Sequence, residues 1–370
     1  MDKLRQKIER IMRSSPGENH GLLGLFLNLA SRLYSLVMRL RFYLYSIGIL
    51  QTGRVSCKVI SVGNITVGGT GKTPMVIHLA SLLSQWGVPV AIASRGYGGS
   101  RQKQGGVVSD GERILLSPAE AGDEPWLMAA KLPGVPVVVG GNRVRSGNLC
   151  VEKFNTRVLI LDDAFSHLAI ARDLNLLLVD SKAPFGNGRL IPGGVLREPA
   201  DYANRADAII KTRANRGNGS DTLPEGQPIF SCNHQTGDLV EHCPVAKSGD
   251  LSLVARHPVS MLKGKKILAF SGIADNPGFF DSLKKLGAEI GESLSYPDHH
   301  TYTPEDRTNI LQKASKAGVQ TLVTTEKDLA RLAGWNTRGL TLYALEITMA
   351  FEDNAAFENF LQQHMNIGGT

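Results

Sequence analysis

The stretch "KVISVGNITVGGTGKTPMVIHLASLLSQWG" constrains the fold more than any other part of the chain. A β-rich run, Lys58–Val62, leads into a glycine turn, and a helical pattern follows from Pro74 to Gln85 with Met75, Ile77, Leu79, Leu82 and Leu83 apolar. Backbone N–H groups at the start of such a helix converge on one point and carry the positive end of the helix dipole. A strand, a glycine turn and a helix in this order therefore cradle a phosphate group. Gly68, Gly69, Thr70, Gly71, Lys72 and Thr73 supply the donors; Lys72 reaches the β and γ phosphates of ATP, and the Thr73 hydroxyl is suited to Mg²⁺. One position departs from the usual G-x-x-x-x-G-K-[ST] pattern, because Thr66 stands where the first glycine belongs. That glycine mainly relieves crowding at the loop entrance, so threonine changes the loop's shape without removing a phosphate donor.

A phosphate loop also needs an acidic strand end for the metal. In "RVLILDDAF" the run Val158–Leu161 reads as a buried strand, with Asp162 and Asp163 at its carboxyl end. Ligands of parallel sheets bind at the carboxyl ends of the strands, so Asp162 is expected to face the metal held by Thr73.

Around this unit β and α patterns alternate. Strands are expected at 88–93, 135–139, 158–161, 174–180 and 208–211, with helices at 118–131 and 143–154. Such alternation implies a doubly wound, mostly parallel sheet of the P-loop NTPase kind. A polar stretch, "ANRGNGSDTLPEGQ", reads as a linker, followed by a strand-rich portion over about 229–259. From Lys266 alternation resumes in a second, smaller α/β unit closed by a helix near 355–363. The expected divisions are an N-terminal segment 1–52, a P-loop domain 53–214, a connection 215–260 and a second domain 261–370. Two units suit a chain of 370 residues, with a site in the cleft between them.

The N-terminal 50 residues hold eight Lys/Arg against Asp2, Glu9 and Glu18, and so contribute +5 of the net charge of +7. Leu22, Phe26, Leu29, Leu33, Leu36, Leu40, Leu44 and Ile47 fall on one helical stripe, and Arg32, Arg39, Arg41, Tyr34, Phe42 and Tyr45 add interfacial character. Charge-free runs here are only about a dozen residues, short of the roughly 20 needed to span a bilayer. The stripe suits a membrane surface or the protein's own core, and both can hold. Basic residues interleaved with apolar ones form no groove with stacking aromatics, which argues against nucleic acid. Four cysteines make no disulfide framework, and no cleavable signal pattern is present, so a reducing, cytosolic setting is expected. "CNHQTGDLVEHC", from Cys232 to Cys243, matches no zinc spacing and reads as ordinary strand and turn residues.

Several loops are richer in glycine and polar residues than a scaffold requires: "SRGYGG", "AGDEP", "GGNR", "PFGNGRLIPGGVLREP", "YPDHHTYT" and "TTEKD". In this order, over about 22–332, they resemble the tetraacyldisaccharide 4′-kinase family, the lipid A 4′-kinases of Gram-negative envelopes. That family also carries threonine or serine at the first loop glycine. The chain departs from it in "DDAFSH", where Ala164 and Ser166 replace the G and Q of D-D-G-F-Q-H.

The resemblance implies ATP- and Mg²⁺-dependent phosphorylation of the 4′-hydroxyl of an acylated glucosamine disaccharide 1-phosphate, giving lipid IVA. It further implies a peripheral protein on the cytoplasmic face of the inner membrane, with no protein partner. Asp123 in "GDEP" is the candidate base, and the resemblance pairs it with His299; His300 is the rival. Glu124 serves structure or assists that pair. By resemblance Glu198 joins Asp162 on the metal. Arg143, Arg189 and Arg197 are candidates for phosphate contacts, Tyr97 for the sugar and Lys327 for the nucleotide. A second reading is a nucleotide switch acting on a protein or membrane, since GGTGKT is also similar to the loops of partitioning and metallochaperone ATPases. Those carry a lysine where this chain has Val67. A kinase of another lipid or polyprenol fits the same residues.

Overall fold

Short aliphatic runs bounded by glycine and polar turns become strands, and the amphipathic runs between them become the helices that cover the sheet. A computed structural model describes residues 2–15, 18, 20–216, 223–241, 255–332 and 334–366. The strands are β1 (Lys58–Gly63), β2 (Val90–Ser94), β3 (Gly106–Ser109), β4 (Val137–Val139), β5 (Val158–Asp162), β6 (Leu174–Asp180) and β7 (Ala208–Thr212) in the first half. They continue as β8 (Ile229–Glu241), β9 (Arg256–His257), β10 (Lys266–Ser271), β11 (Glu289–Ser295), β12 (Thr321–Thr325) and β13 (Thr341–Phe351). The helices are α1 (Asp2–Met12), α2 (Gly21–Ser46), α3 (Lys72–Gln85), α4 (Pro118–Ala121), α5 (Asp123–Lys131), α6 (Arg143–Phe154), α7 (Asn276–Lys285), α8 (Pro304–Ala317), α9 (Glu326–Arg331) and α10 (Asn354–Met365).

All thirteen strands belong to one sheet, in the order β11-β10-β12-β13-β8-β7-β6-β1-β5-β2-β4-β3, with β9 on β8. Pairing is parallel except at β8/β13, β3/β4 and β8/β9. The sheet is thus P-loop-like and mostly parallel, as expected. The two units differ from the expectation in sharing it: β8 pairs with β7 on one side and β13 on the other. Their cores stay separate. Ile60, Leu79, Leu83 and Ile160 sit in the first, and Ile267, Val323 and Leu345 in the second. Helix α10, expected in the second unit, packs Phe357 and Leu361 into the first core. Residues 217–222 of the expected linker, 242–254 of the strand-rich portion, and Cys243 with them, lie outside the described residues. Cys232 is buried in β8.

The helix expected over 118–131 is broken at Gly122. Its φ of +89° is left-handed, and a Cβ there would lie 2.6 Å from the Tyr97 carbonyl oxygen. The break places Asp123 in the first turn of α5, where a carboxylate is favoured by the helix dipole.

Helix α2 has two faces. Gly24, Leu27 and Ser31 are buried, and Tyr34 and Met38 pack on the core beneath. Ser31 Oγ donates to the Leu190 carbonyl at 2.7 Å and accepts from Gly193 N at 2.8 Å. The opposite face leaves Leu22 (86%), Leu25 (68%), Leu29 (67%) and Leu36 (63%) exposed. The leucine stripe expected from spacing is therefore the outer one. At 26 residues α2 is also long and apolar enough to cross a membrane by length and composition, although its charge-free runs are shorter.

Candidate active site

The loop between β1 and α3 enters as a strand. Thr66 forms an antiparallel bridge with Leu196, Val67 N donates to the Val195 carbonyl at 2.7 Å, and Arg197 N to that of Ile65 at 2.7 Å. An extended entrance needs no left-handed residue, which explains threonine at position 66. The Thr66 hydroxyl accepts from Asn64 Nδ2 at 3.3 Å. Glycine is required farther on: Gly71 caps α3 at φ +86°, and a Cβ on it would lie 2.6 Å from His234 Nε2. Lys72 Nζ lies 3.3 Å from Asn64 Oδ1 and 3.7 Å from Asp163 Oδ1. Arg213 Nη2 steadies the loop from β7 by donating to the Gly69 carbonyl at 2.9 Å.

At the end of β5, Asp162 is buried and accepts from Ser94 Oγ at 2.8 Å, while its Oδ1 has no hydrogen-bond partner. Burial, then the nearby Glu124 and Asp163, push its carboxyl up to about 6. An uncompensated carboxylate here, like the buried unpartnered Thr70 Oγ1, is the donor chemistry a divalent cation fits. Between an ordinary value of 3.8 and about 6 the folded chain holds a proton that the unfolded chain releases, so stability falls as pH rises through that window. In cation-free urea denaturation at pH 7.5, Asp162→Asn is expected to be more stable than the parent by about 1–3 kcal/mol. The gain should disappear near pH 4. A variant no more stable at pH 7.5 contradicts the strain assigned to this carboxylate.

Beside the loop lies a cavity of about 520 Å³, lined by Arg41, Ser94, Arg95, Tyr97, Asp123, Glu124, Arg143, Asp162, Asp163, His167, Arg197 and His299 among others. Four guanidinium groups share the lining with four carboxylates, so its charge is mixed. Around His167 cations dominate: burial first, then Arg143, Arg172, Arg41 and Arg95, push it down to about 4. Arg41 comes from α2 and donates to the Ser166 carbonyl at 3.3 Å, so the N-terminal helix forms part of the wall. Arg143 is buried, bonded to the Asp162 carbonyl at 3.3 Å, and lowered by burial to about 10, which leaves it cationic. Arg197 grips both oxygens of Asp163 at 3.1 and 2.9 Å. Tyr97 is exposed, with its ring edge-on to His299 at 6.2 Å.

Asp123 and His299 come from different halves and meet here, with His299 Nδ1 3.9 Å from Asp123 Oδ2. Arg331 Nε donates to the same oxygen at 2.6 Å. Burial acts to raise the Asp123 carboxyl, but its interactions with His299 and Arg331 outweigh it and the net direction is down. The halves are pinned by an ion pair between Glu124 and Lys327 and by Lys131, which bridges Glu326 at 2.8 Å and Glu346 at 2.9 Å.

Several expected residues land elsewhere. Lys327 engages Glu124 in this arrangement. His300 turns away to bond Asp306 at 2.8 Å and to stack on Tyr296. Glu198 is buried, its carboxylate is taken by Arg205, and it does not line the cavity. Arg205 in turn sits over the rings of Phe165, Tyr202 and Phe42, which leaves this carboxylate in a structural pair. Arg189 is likewise absent from the lining. The sequence reading passed over Asn64, Asp163's pairing with Arg197, Arg41's place in the wall, and Arg331. The only trace of Arg331 was its i,i+3 spacing from Asp328 in "KDLAR", a pattern common on helix surfaces.

A family model described as tetraacyldisaccharide-1-P 4′-kinase matches residues 23–366. The chain belongs to this family. It is 61% identical over 368 residues, the full length of both chains, to the tetraacyldisaccharide 4′-kinase of Desulfatibacillum aliphaticivorans. Identity to the enzyme of the same name from Pelobacter propionicus is 42% over 304 residues, 82% of each chain. The crystal structure of LpxK from Aquifex aeolicus in complex with ATP superposes with a TM-score of 0.77 at 35% identity, covering 93% of this chain and 100% of that one. The protein is thus a kinase of lipid A biosynthesis, as the loops implied, rather than a nucleotide switch.

Proposed function

We propose that the kinase binds ATP on the loop 66–73 and the acylated disaccharide 1-phosphate in the adjoining arginine-lined cavity, with Asp123 accepting the proton of the 4′-hydroxyl. The observation that carries this reading is the cross-half meeting of Asp123 and His299 at 3.9 Å on the wall of that cavity. The 4′ oxygen forms a bond to the γ-phosphorus, the bond from that phosphorus to the β–γ bridging oxygen breaks, ADP departs, and the proton passes to the Asp123 carboxylate. Loop amides and Lys72 orient the triphosphate. Arg143 and Arg197 offset negative charge, and Tyr97 borders the sugar. Thr73 and Asp162 are the residues that would hold Mg²⁺, whose chemistry is to neutralise phosphate charge.

We also assign the outer face of α2 to the cytoplasmic surface of the inner membrane. The supporting observations are the exposed leucines opposite the docked face and the basic surplus of the segment. Arg41, on the same helix, lines the cavity, so an acylated substrate lying in the bilayer is brought beside the reacting groups. The test is label transfer from γ-labelled ATP to the tetraacyl disaccharide 1-phosphate, first in detergent and then in anionic phospholipid vesicles. The variant Leu25→Glu/Leu29→Glu/Leu36→Glu should keep its detergent activity. With vesicles it should lose about tenfold or more and fail to sediment with them, since each charge opposes burial of the helix face. No transfer by the parent chain in detergent refutes the substrate assignment, and full vesicle activity of the variant refutes the membrane face.

A further inference from the structure

We propose that Arg331 is a positioning residue that holds His299 as a neutral imidazole with an unprotonated Nδ1 toward Asp123, so that the Asp123 carboxylate is left open to receive the proton of the sugar hydroxyl. The inference rests on the reading of Asp123 as proton acceptor and adds to it a residue which that reading does not include.

The Arg331 side chain is 5% exposed and makes four contacts, one of them, to Asp123, across the cleft. Nε donates to Asp123 Oδ2 at 2.6 Å, and Nη1 to the Gly272 carbonyl at 2.9 Å and to Asp328 Oδ1 at 3.0 Å. The fourth contact decides the matter: Nη2 lies 3.3 Å from His299 Nδ1. A guanidinium has donors only, so Nδ1 is the acceptor and the ring proton sits on Nε2. Nε2 is turned the other way, 4.0 Å from Asp298 Oδ1.

The backbone holds this arrangement. The Gly272 carbonyl that receives Arg331 also accepts from His299 N at 3.1 Å, and Gly272 N donates to both Asp328 oxygens at 3.1 Å. His299 itself is held at φ +59°, a left-handed conformation that a residue with a side chain adopts only when its surroundings impose it. Besides Asp123 and Arg331, the imidazole is faced by Asp298 from its own loop and by the Tyr97 ring, with the Glu124–Lys327 ion pair alongside. Arg331 is the one cation of this group that contacts both members of the pair.

The proton count follows. The hydroxyl proton moves to the Asp123 carboxylate and stays there, because the Nδ1 lone pair is engaged by Arg331, while the oxygen's electron pair forms the bond to phosphorus. A proton on Nδ1 would set one N–H against another. Arg331 is also among the groups that hold the Asp123 carboxyl down.

The experiment uses the full chain labelled with ¹⁵N-histidine, the His299 signals being identified by their loss in His299→Asn. At pH 7.5 the parent should show an unprotonated Nδ1 and a protonated Nε2. Arg331→Met should lose this tautomer preference, lower kcat about 10- to 100-fold with KM for ATP unchanged, and move the acid limb of the pH profile up by roughly one unit. Arg331→Lys keeps the charge without the fork. It should lose kcat while its acid limb stays near that of the parent, and it carries the test if Arg331→Met does not fold. An Nδ1–H tautomer in the parent, or lysine and methionine variants with identical profiles and an unchanged tautomer, overturns the proposal. Full turnover in Asp123→Asn would instead remove the base assignment and leave the tautomer result standing.

Discussion

Asp123→Asn is expected to lower kcat by about 10²- to 10⁴-fold, the range associated with loss of a positioned proton acceptor. The amide oxygen still accepts from Arg331 Nε, which reaches Asp123 Oδ2 at 2.6 Å in the parent, so the geometry of the cleft is retained. What disappears is the capacity to take a proton. Affinity for ATP should change by less than about threefold if, as proposed, Asp123 lies on the acceptor side of the site and the loop grips the triphosphate. Steady-state and single-turnover phosphoryl transfer measure this directly. A variant within about threefold of the parent in kcat would show that the hydroxyl needs no carboxylate, as a loose phosphoryl-transfer transition state would permit.

Lys72→Met should act on the other substrate and on both kinetic constants. Its ammonium stands 3.3 Å from Asn64 Oδ1 and 3.7 Å from Asp163 Oδ1, so in the free protein it is held by two weak contacts and is free to reach a phosphate. Loss of one such charge-stabilising group is expected to reduce kcat by about 10²- to 10³-fold. KM for ATP should rise as well. Ligand-induced stabilisation gives a second readout: ATP at 100 times its dissociation constant protects the parent by about 2.7 kcal/mol, and most of this should vanish in the variant. Equal protection of variant and parent would mean that the nucleotide binds away from the loop 66–73.

The strand–turn–helix of the loop was legible because its aliphatic run, its glycines and its helical pattern lie within some thirty residues of chain, whereas the rail of residues 195–197 beside it was not. The placing of Asp162 at a strand end was legible for a similar reason, since a charged pair closes the aliphatic run there, although turns favour Asp in any protein. The pairing of Asp123 with His299 was reached through resemblance, because no local pattern joins residues so far apart in sequence. Arg331 had no such support. Its meaning depends on α9 lying against α5, which Lys131 and its two glutamate partners help to fix. The periodicity of α2 placed its leucines on one stripe but could not tell which side faced out. The deciding residue was a small one, Ser31, whose hydroxyl meets the Leu190–Gly193 turn. The single sheet was hidden because β8 pairs with strands on both sides of the supposed boundary. Glu198 was misleading for the opposite reason. Its neighbours in sequence line the site, while its own side chain points into the aromatic surroundings of Arg205.

The way the backbone approaches Thr66 bears on how such proteins are found. A search keyed to glycine at the opening of the motif encodes room for a left-handed residue, and this chain has a bridged threonine there. It arrives flat, laced to residues 195–197. The informative signature is therefore a pair of segments distant in the chain, one ending in the lysine and one supplying the rail beside it, and a filter that reads only the first would discard an intact nucleotide cradle.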